Sequence, residues 1–322
     1  MRILPRSGMG KLRSHTGGHI RSHTCGTAGV RFARIPKPHG RRLPRNVNKG
    51  GRNNRRTKCH RMTARRMGMT QRFVTTATGK RLIGKAIASS DDVQAAAQSG
   101  TVVVIAGTTN GYVAEELLTA LSQAEGFSRT RFFRGITKPP MSNNAPSEKE
   151  EFPGDVVVTN GIWQKGTTIF DVVDDLKEGD IVIKGANALD PVRRRAAVLI
   201  GHPQGGTILA SLTAVVGRRV RLILPVGLEK RVAADLDDIA DQLNQPGAKG
   251  PRMMPLPGEV VTELEAISFL SGVTATLVAA GGVCGAEGGA WLALEGNPEQ
   301  EDAAATILSD AAKQCATSDL PF

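Results

Sequence analysis

The run Thr101-Val-Val-Val-Ile-Ala106 constrains the fold more than any other feature of the chain. It is continuously apolar, of strand length, and is followed by Gly107-Thr108-Thr109-Asn110-Gly111 and an amphipathic stretch from Tyr112 to Leu121. A strand apolar on both faces is buried on both, and such a strand feeding a glycine turn and a helix is the unit of a parallel α/β sheet. The unit recurs. Asp180-Ile-Val-Ile-Lys184 leads to Gly185-Ala-Asn187-Ala-Leu-Asp190, and Ala197-Val-Leu-Ile200 leads to Gly201-His-Pro-Gln-Gly-Gly-Thr207 and a helix from Ile208 to Val216. Val220-Arg-Leu-Ile-Leu224 is a fourth strand. The fold class expected is therefore α/β, a mainly parallel sheet flanked by helices.

This pattern occupies only part of the 322 residues. Positions 1–90 hold 23 of the 42 Lys and Arg and no acid, the first being Asp91; the remainder carries 19 basic against 30 acidic residues, a net of −11. A pI near 10 ordinarily points to nucleic acid, but that inference attaches only to the basic first segment. From Met1 to about Met69 there is no apolar period of 2 or 3.6 residues, and such a segment buries too little to offset its ordering entropy, so residues 1–69 read as disordered. An organellar transit peptide, a nucleic-acid-binding tail and translated sequence upstream of a start at Met62, Met67 or Met69 all suit it. The spacing His15, His19, His23, Cys25 offers zinc donors without the paired CxxC of a specific site, and no metal or cofactor is expected.

Two cysteines in the body, Cys284 and Cys315, make no disulfide framework and suit a reducing compartment, cytoplasmic, or organellar if the first segment is a transit peptide. No run approaches 18 apolar residues, so no membrane partner is expected. Homo-oligomerisation stays open.

The organisation expected is an α/β ligand-binding domain over 70–250 and a small α+β subdomain over 251–322. A first helix is expected from Lys80 to Ala97, and Asn160-Gly161 between Asp155-Val-Val-Val-Thr159 and Ile162-Trp-Gln164 is a hairpin signal. Lys138 to Pro153, rich in proline and charge, reads as an exposed connector or a lid. Thr262 with Glu265 forms a capping box for a helix ending near Gly272, strands run from Thr274 to Ala280 and from Ala290 to Leu294, and Asn297-Pro298 starts a last helix.

Ligands of parallel α/β sheets bind beyond the carboxyl ends of the strands. Gly107, Thr108, Thr109 and Asn110 offer backbone N–H groups, hydroxyls and a helix N-terminus suited to phosphate or carboxylate, against which Glu115 and Glu116 place nearby negative charge. Gly205, Gly206 and Thr207 repeat the arrangement, with His202, the body's one histidine, in the same turn as a candidate acid or base. Lys184 ends an apolar strand and must bring its ammonium out there, to meet an anion or to pair with Asp190. Arg193, Arg194 and Arg195 read as a solvated face, and Glu259, Glu263 and Glu287 as acids near glycine turns.

The order Gly107-Thr-Thr109, then Val182-Ile-Lys-Gly-Ala-Asn-Ala-Leu-Asp190, then Gly205-Gly-Thr207 and a strand ending in Pro225-Val226 resembles the ligand-facing turns of the ribose-5-phosphate isomerase, glucosamine-6-phosphate deaminase and CoA-transferase-like superfamily. The resemblance spans about Thr101 to Val226 and implies phosphate recognition by the Gly107-Thr108-Thr109 turn; the residues themselves give Gly107, Thr108, Thr109, Asn110, Gly185, Asn187, Asp190, Gly205, Gly206 and Thr207 as the candidate ligand-binding set, with Lys184 and His202 as candidate catalytic groups. Lys184 and Asn187 stand where the isomerase pattern carries acids, and Pro203 to Gly206 lacks its lysine. The expectation is a protein that binds a phosphorylated sugar or similar small anionic metabolite, with isomerase- or transferase-like chemistry; the alternative is a non-catalytic sensor or assembly protein of the same fold. Nucleic acid, if bound, engages the basic tail alone.

Overall fold

The computed structural model describes residues 68–134, 137 and 154–318. Strand β1 (Gly68–Val74) precedes helices α1 (Thr76–Ala88) and α2 (Asp91–Ser99), and β2 (Thr101–Val104) runs into α3 (Thr108–Ala120). A hairpin of β3 (Val156–Thr159) and β4 (Ile162–Trp163) and a short helix α4 (Ile169–Val172) lead to β5 (Ile181–Ile183), β6 (Ala188–Asp190) and β7 (Arg195–Ile200). Next come α5 (Gly206–Arg218), β8 (Arg221–Pro225), α6 (Leu236–Asn244), β9 (Arg252–Pro255) and β10 (Glu259–Val261). Helix α7 (Glu263–Ser271), β11 (Thr274–Ala280), β12 (Ala290–Gly296) and α8 (Pro298–Ser318) follow.

The central sheet has the order β10-β8-β5-β2-β3-β4, of which the first four strands are mutually parallel, β3 is antiparallel to β2, and β4 is antiparallel to β3. The fold is α/β, but the expectation of a mainly parallel sheet is corrected: the sheet is mixed, and two further three-stranded sheets, β6-β7-β9 and β1-β12-β11, are antiparallel. The error sits in β7, expected as a parallel neighbour of β5. An apolar run reports burial and not strand direction. Direction is set by Asp190, whose Oδ1 accepts from the backbone N–H of Val192 and Arg193 (2.9 Å each) and so turns β7 back along β6.

Several local signals act as their chemistry requires. Asn160 (φ 49°) and Gly161 (φ 80°) form the β3–β4 turn. Thr262 and Glu265 close a capping box on α7, which ends at left-handed Gly272, and Asn297 Oδ1 accepts from the Gln300 N–H at the start of α8. The helix expected over 80–97 is two, broken before Asp91. Gly68 and Met69, expected in the disordered segment, pair with Gly296 and Glu295 instead, because β12 offers a free ladder edge. The zinc-donor spacing, the rest of the basic segment and the connector over 138–153 lie outside the described residues.

Helices α1 and α3 pack closely. A Cβ at Gly84 would lie 2.8 Å from the Tyr112 carbonyl carbon, so only glycine permits the approach. Arg81, 6% exposed, crosses the same contact to pair with Glu115 (2.6 Å) and Glu116 (2.9 Å). With Arg129, which also pairs with Glu115 at 3.6 Å, Arg81 balances the two acids. One continuous core joins Val102–Val104, Ile181–Ile183 and Leu222–Leu224 of the central sheet to Ala275, Leu292 and Leu294 of the terminal one, and a satellite core of Ala188, Ala197, Leu236, Ala240 and Met253 lies under α6.

Candidate functional site

Each central parallel strand delivers a polar or charged residue just past its carboxyl end. After β2 come Thr109 and Asn110 in the first turn of α3; after β5, Lys184 and Gly185; after β8, Glu229 and Lys230; after β10, Glu263. Strand β3 runs the other way, so its preceding residue, Asp155, arrives at the same edge.

Asn110 is fully buried. Its Nδ2 donates to the carbonyls of Ile105 (2.6 Å) and Ile183 (3.1 Å), tying the ends of β2 and β5 together and fixing the amide's orientation. Its Oδ1 therefore faces away from both strands, toward Gly185, whose Cβ would lie 3.6 Å from it, and has no hydrogen-bond partner. Thr109 Oγ1, on a residue 2% exposed, also has none. A polar atom buried without a partner costs about 1–3 kcal/mol. Two such atoms in one helical turn at a strand edge mark a place that something else completes.

Lys184 is partly buried, and among the described residues its Nζ makes no ion pair; its hydrogen bond is to the Gly185 carbonyl, at 3.5 Å. Burial pushes this amine down to about 8; Asp155 pulls it back, while the neighbouring cations Lys230 and Arg134 add to the depression. Among the described residues no ion pair joins the ammonium to Asp155, whose oxygens are engaged elsewhere. Oδ1 accepts from the Ala106 N–H (2.9 Å) and pairs with Arg134 (3.1 Å), and Oδ2 accepts from the Ile169 N–H (2.9 Å). Burial raises the Asp155 carboxyl against the opposing pull of Arg134 and those N–H groups. Lys230 Nζ donates to the Ala186 carbonyl (2.8 Å), and burial lowers it too.

Beside these cations sits an acid held back from ionising. Glu263, 3% exposed, accepts from the Leu228 N–H through Oε2 (2.9 Å); burial, then the charge of Glu229, lifts its carboxyl to about 7. Glu229 Oε2 is itself buried and unpartnered. Among the described residues no group of three His, Cys, Asp or Glu is placed to hold a metal ion.

The expected site residues divide. Thr109, Asn110, Lys184 and Gly185 meet at this edge; Gly107 is the N-cap of α3 and Thr108 its exposed first residue, so the expected turn over 107–111 is mostly helix. Asn187 Oδ1 accepts from the Leu199 N–H (3.0 Å) and Asp190 pairs with Arg193, so both are spent on the β6–β7 hairpin. The turn of Gly205, Gly206 and Thr207 follows β7 rather than a central strand. His202 is exposed there, its Nδ1 accepting from the Gln204 N–H (3.1 Å), and no hydrogen bond or ion pair among the described residues links that turn to Lys184. Arg193, Arg194 and Arg195 pair with Asp190, Glu265 and Asp237. Glu259 pairs with Arg221 at the opposite end of its strand, and Glu287 is exposed.

Arg134, Asp155, Glu229 and Lys230 were not legible as site residues. Asp155 carried a signal all the same, the one that marks Lys184: a charge abutting a buried strand at its ligand-facing end. Comparison with family models, with curated proteins and with solved structures finds no match to this chain.

Proposed function

We propose that the carboxyl edge of the central sheet binds a phosphorylated sugar or similar small anionic metabolite. The observation that carries this reading is the pair of buried, unpartnered atoms Asn110 Oδ1 and Thr109 Oγ1 at the strand edge that also bears Lys184, whose amine makes no ion pair among the described residues. The 13-residue helix α3 directs its first N–H groups and positive dipole end to the same place, and Lys184, Lys230 and Arg134 add positive potential. An anion alone leaves Asn110 Oδ1 unmatched, since both are acceptors. A ligand carrying an anionic group and a hydroxyl satisfies the helix end and the amide oxygen together, which favours a polyol phosphate over bare phosphate. Glu115 and Glu116, turned toward Arg81, do not oppose it.

Isomerase- or transferase-like turnover draws on Lys184 and Glu263 as the groups whose protons move nearest neutral pH. The sensor reading draws on Asp155, whose carboxylate is occupied by Arg134 and two N–H groups. Recovery of ligand unchanged after long incubation selects the sensor.

Thermal unfolding of the full chain with ribose 5-phosphate, a CoA ester, inorganic phosphate and neutral ribose tests the binding. Ribose 5-phosphate at saturating concentration is expected to raise the midpoint by several degrees, corresponding to about 2.7 kcal/mol at a hundredfold excess over Kd. Neutral ribose is expected to do less, and Asn110→Leu to abolish the gain. If no anion moves the midpoint at millimolar concentration, the reading is wrong.

A further inference from the structure

We infer that Lys184 is an imine-forming amine: its Nζ adds to the carbonyl carbon of a phosphorylated aldose or ketose bound at the α3 end of the site. This rests on the anion-binding reading, and adds to it a reacting group on the ligand and a nucleophile on the chain.

Among the described residues Lys184 makes no ion pair; Asp155 is near enough to act on it electrostatically, while the Asp155 oxygens engage Arg134, Ala106 and Ile169. The Lys184 hydrogen bond to the Gly185 carbonyl is long, at 3.5 Å, so the nitrogen lone pair is freed at little cost. Two further cations, Lys230 and Arg134, surround it, and a lysine crowded by cations and partly withdrawn from water gives up its proton readily. With the amine at about 8, the neutral fraction at pH 7 is on the order of a hundred times that of an ordinary lysine. The acceptor Asn110 Oδ1 lies next to Gly185, where it can hold a hydroxyl adjoining the carbonyl.

The step closes on itself. The Nζ lone pair forms the C–N bond while the carbonyl π pair moves to oxygen; the two nitrogen-bound hydrogens then leave with that oxygen as water, and the lone pair left on nitrogen completes C=N. One carbonyl and one amine give one imine and one water, with no oxidant or reductant.

The test treats the full chain with ribose 5-phosphate or dihydroxyacetone phosphate in the presence of sodium cyanoborohydride, which reduces an imine to a stable secondary amine, and maps the added mass by peptide. The expected result is one adduct per chain on Lys184, at least about tenfold above the exposed Lys249. It should require the reductant, fall with excess inorganic phosphate, vanish in Lys184→Met and Lys184→Arg, and form faster as pH rises from 6 to about 8 with a plateau beyond. Both variants are checked for an unfolding midpoint like that of the parent; if Met shifts it, Arg carries the comparison. Labelling spread over Lys80, Lys165 and Lys249 without enrichment at Lys184 overturns the inference. A midpoint raised by ribose 5-phosphate with no Lys184 adduct overturns the imine and leaves binding standing. A Lys184 adduct insensitive to inorganic phosphate supports the imine and removes the anion site.

Discussion

Glu263 is the residue whose ionisation the fold most directly resists. Its carboxyl titrates at about 7 when folded and near 4.5 when free, so between those values the native chain keeps a proton that the unfolded chain has released. The unfolded state then binds fewer protons, and stability from this group falls as pH rises from 4.5 to 7, remaining low above. Glu263→Gln keeps an acceptor for the Leu228 N–H and removes the charge that burial and Glu229 disfavour. The variant should be more stable than the parent at pH 8, by up to about 3 kcal/mol, and equal to it near pH 4.5; denaturant unfolding across that range checks both ends. Lys184 acts in the opposite sense in a separate window: lowered to about 8, it releases its proton in the native state while the unfolded chain holds it, so its contribution rises from pH 8 toward 10.5.

At the scale of elements, two helical glycines make a paired prediction. Gly84 in α1 faces the Tyr112 backbone, which cannot yield as a side-chain tip would, and Gly84→Ala should cost about 1–3 kcal/mol. Gly217 in the last turn of α5 has nothing within 4 Å, and Gly217→Ala should stabilise by roughly 0.5–1 kcal/mol. Unfolding midpoints of the two variants decide. Elements of this kind were legible where a residue acts on its own neighbours: Asn160-Gly161, the Thr262 and Glu265 box, and Asn297 each build their turn or cap locally. What depends on distant partners was not. Strand β1 has one fully buried side chain, Val74, and is a strand because β12 pairs with it. For the same reason Lys184 was legible at the edge, being the end of its own strand, while Asp155 and Lys230, 29 residues before it and 46 after, become its neighbours only through the sheet order β8-β5-β2-β3.

At the scale of the whole described chain, its two ends are joined, since β1 forms the outer strand beside β12 and α1 packs on α7 and α8. A truncation ending at residue 66 leaves that ladder in place, whereas one ending at 74 removes it and uncovers the neighbouring strand. The longer truncation should lower the midpoint by ten degrees or more on the order expected for loss of several kcal/mol, and the shorter should leave it unchanged; calorimetry of both separates the outcomes. Closure of another kind occurs at the ligand edge. The Arg134–Asp155 pair, at 3.1 Å, brings together two points 21 positions apart, with Asp155 also bonded to Ala106 and Ile169 on either side of them in sequence. The chain is thus clasped at both ends of the intervening stretch, and entropy charges little for altering what lies between, about 0.6 kcal/mol for each doubling of its length. A segment of other length and composition can therefore be exchanged between these two residues at small cost to the sheet that holds them.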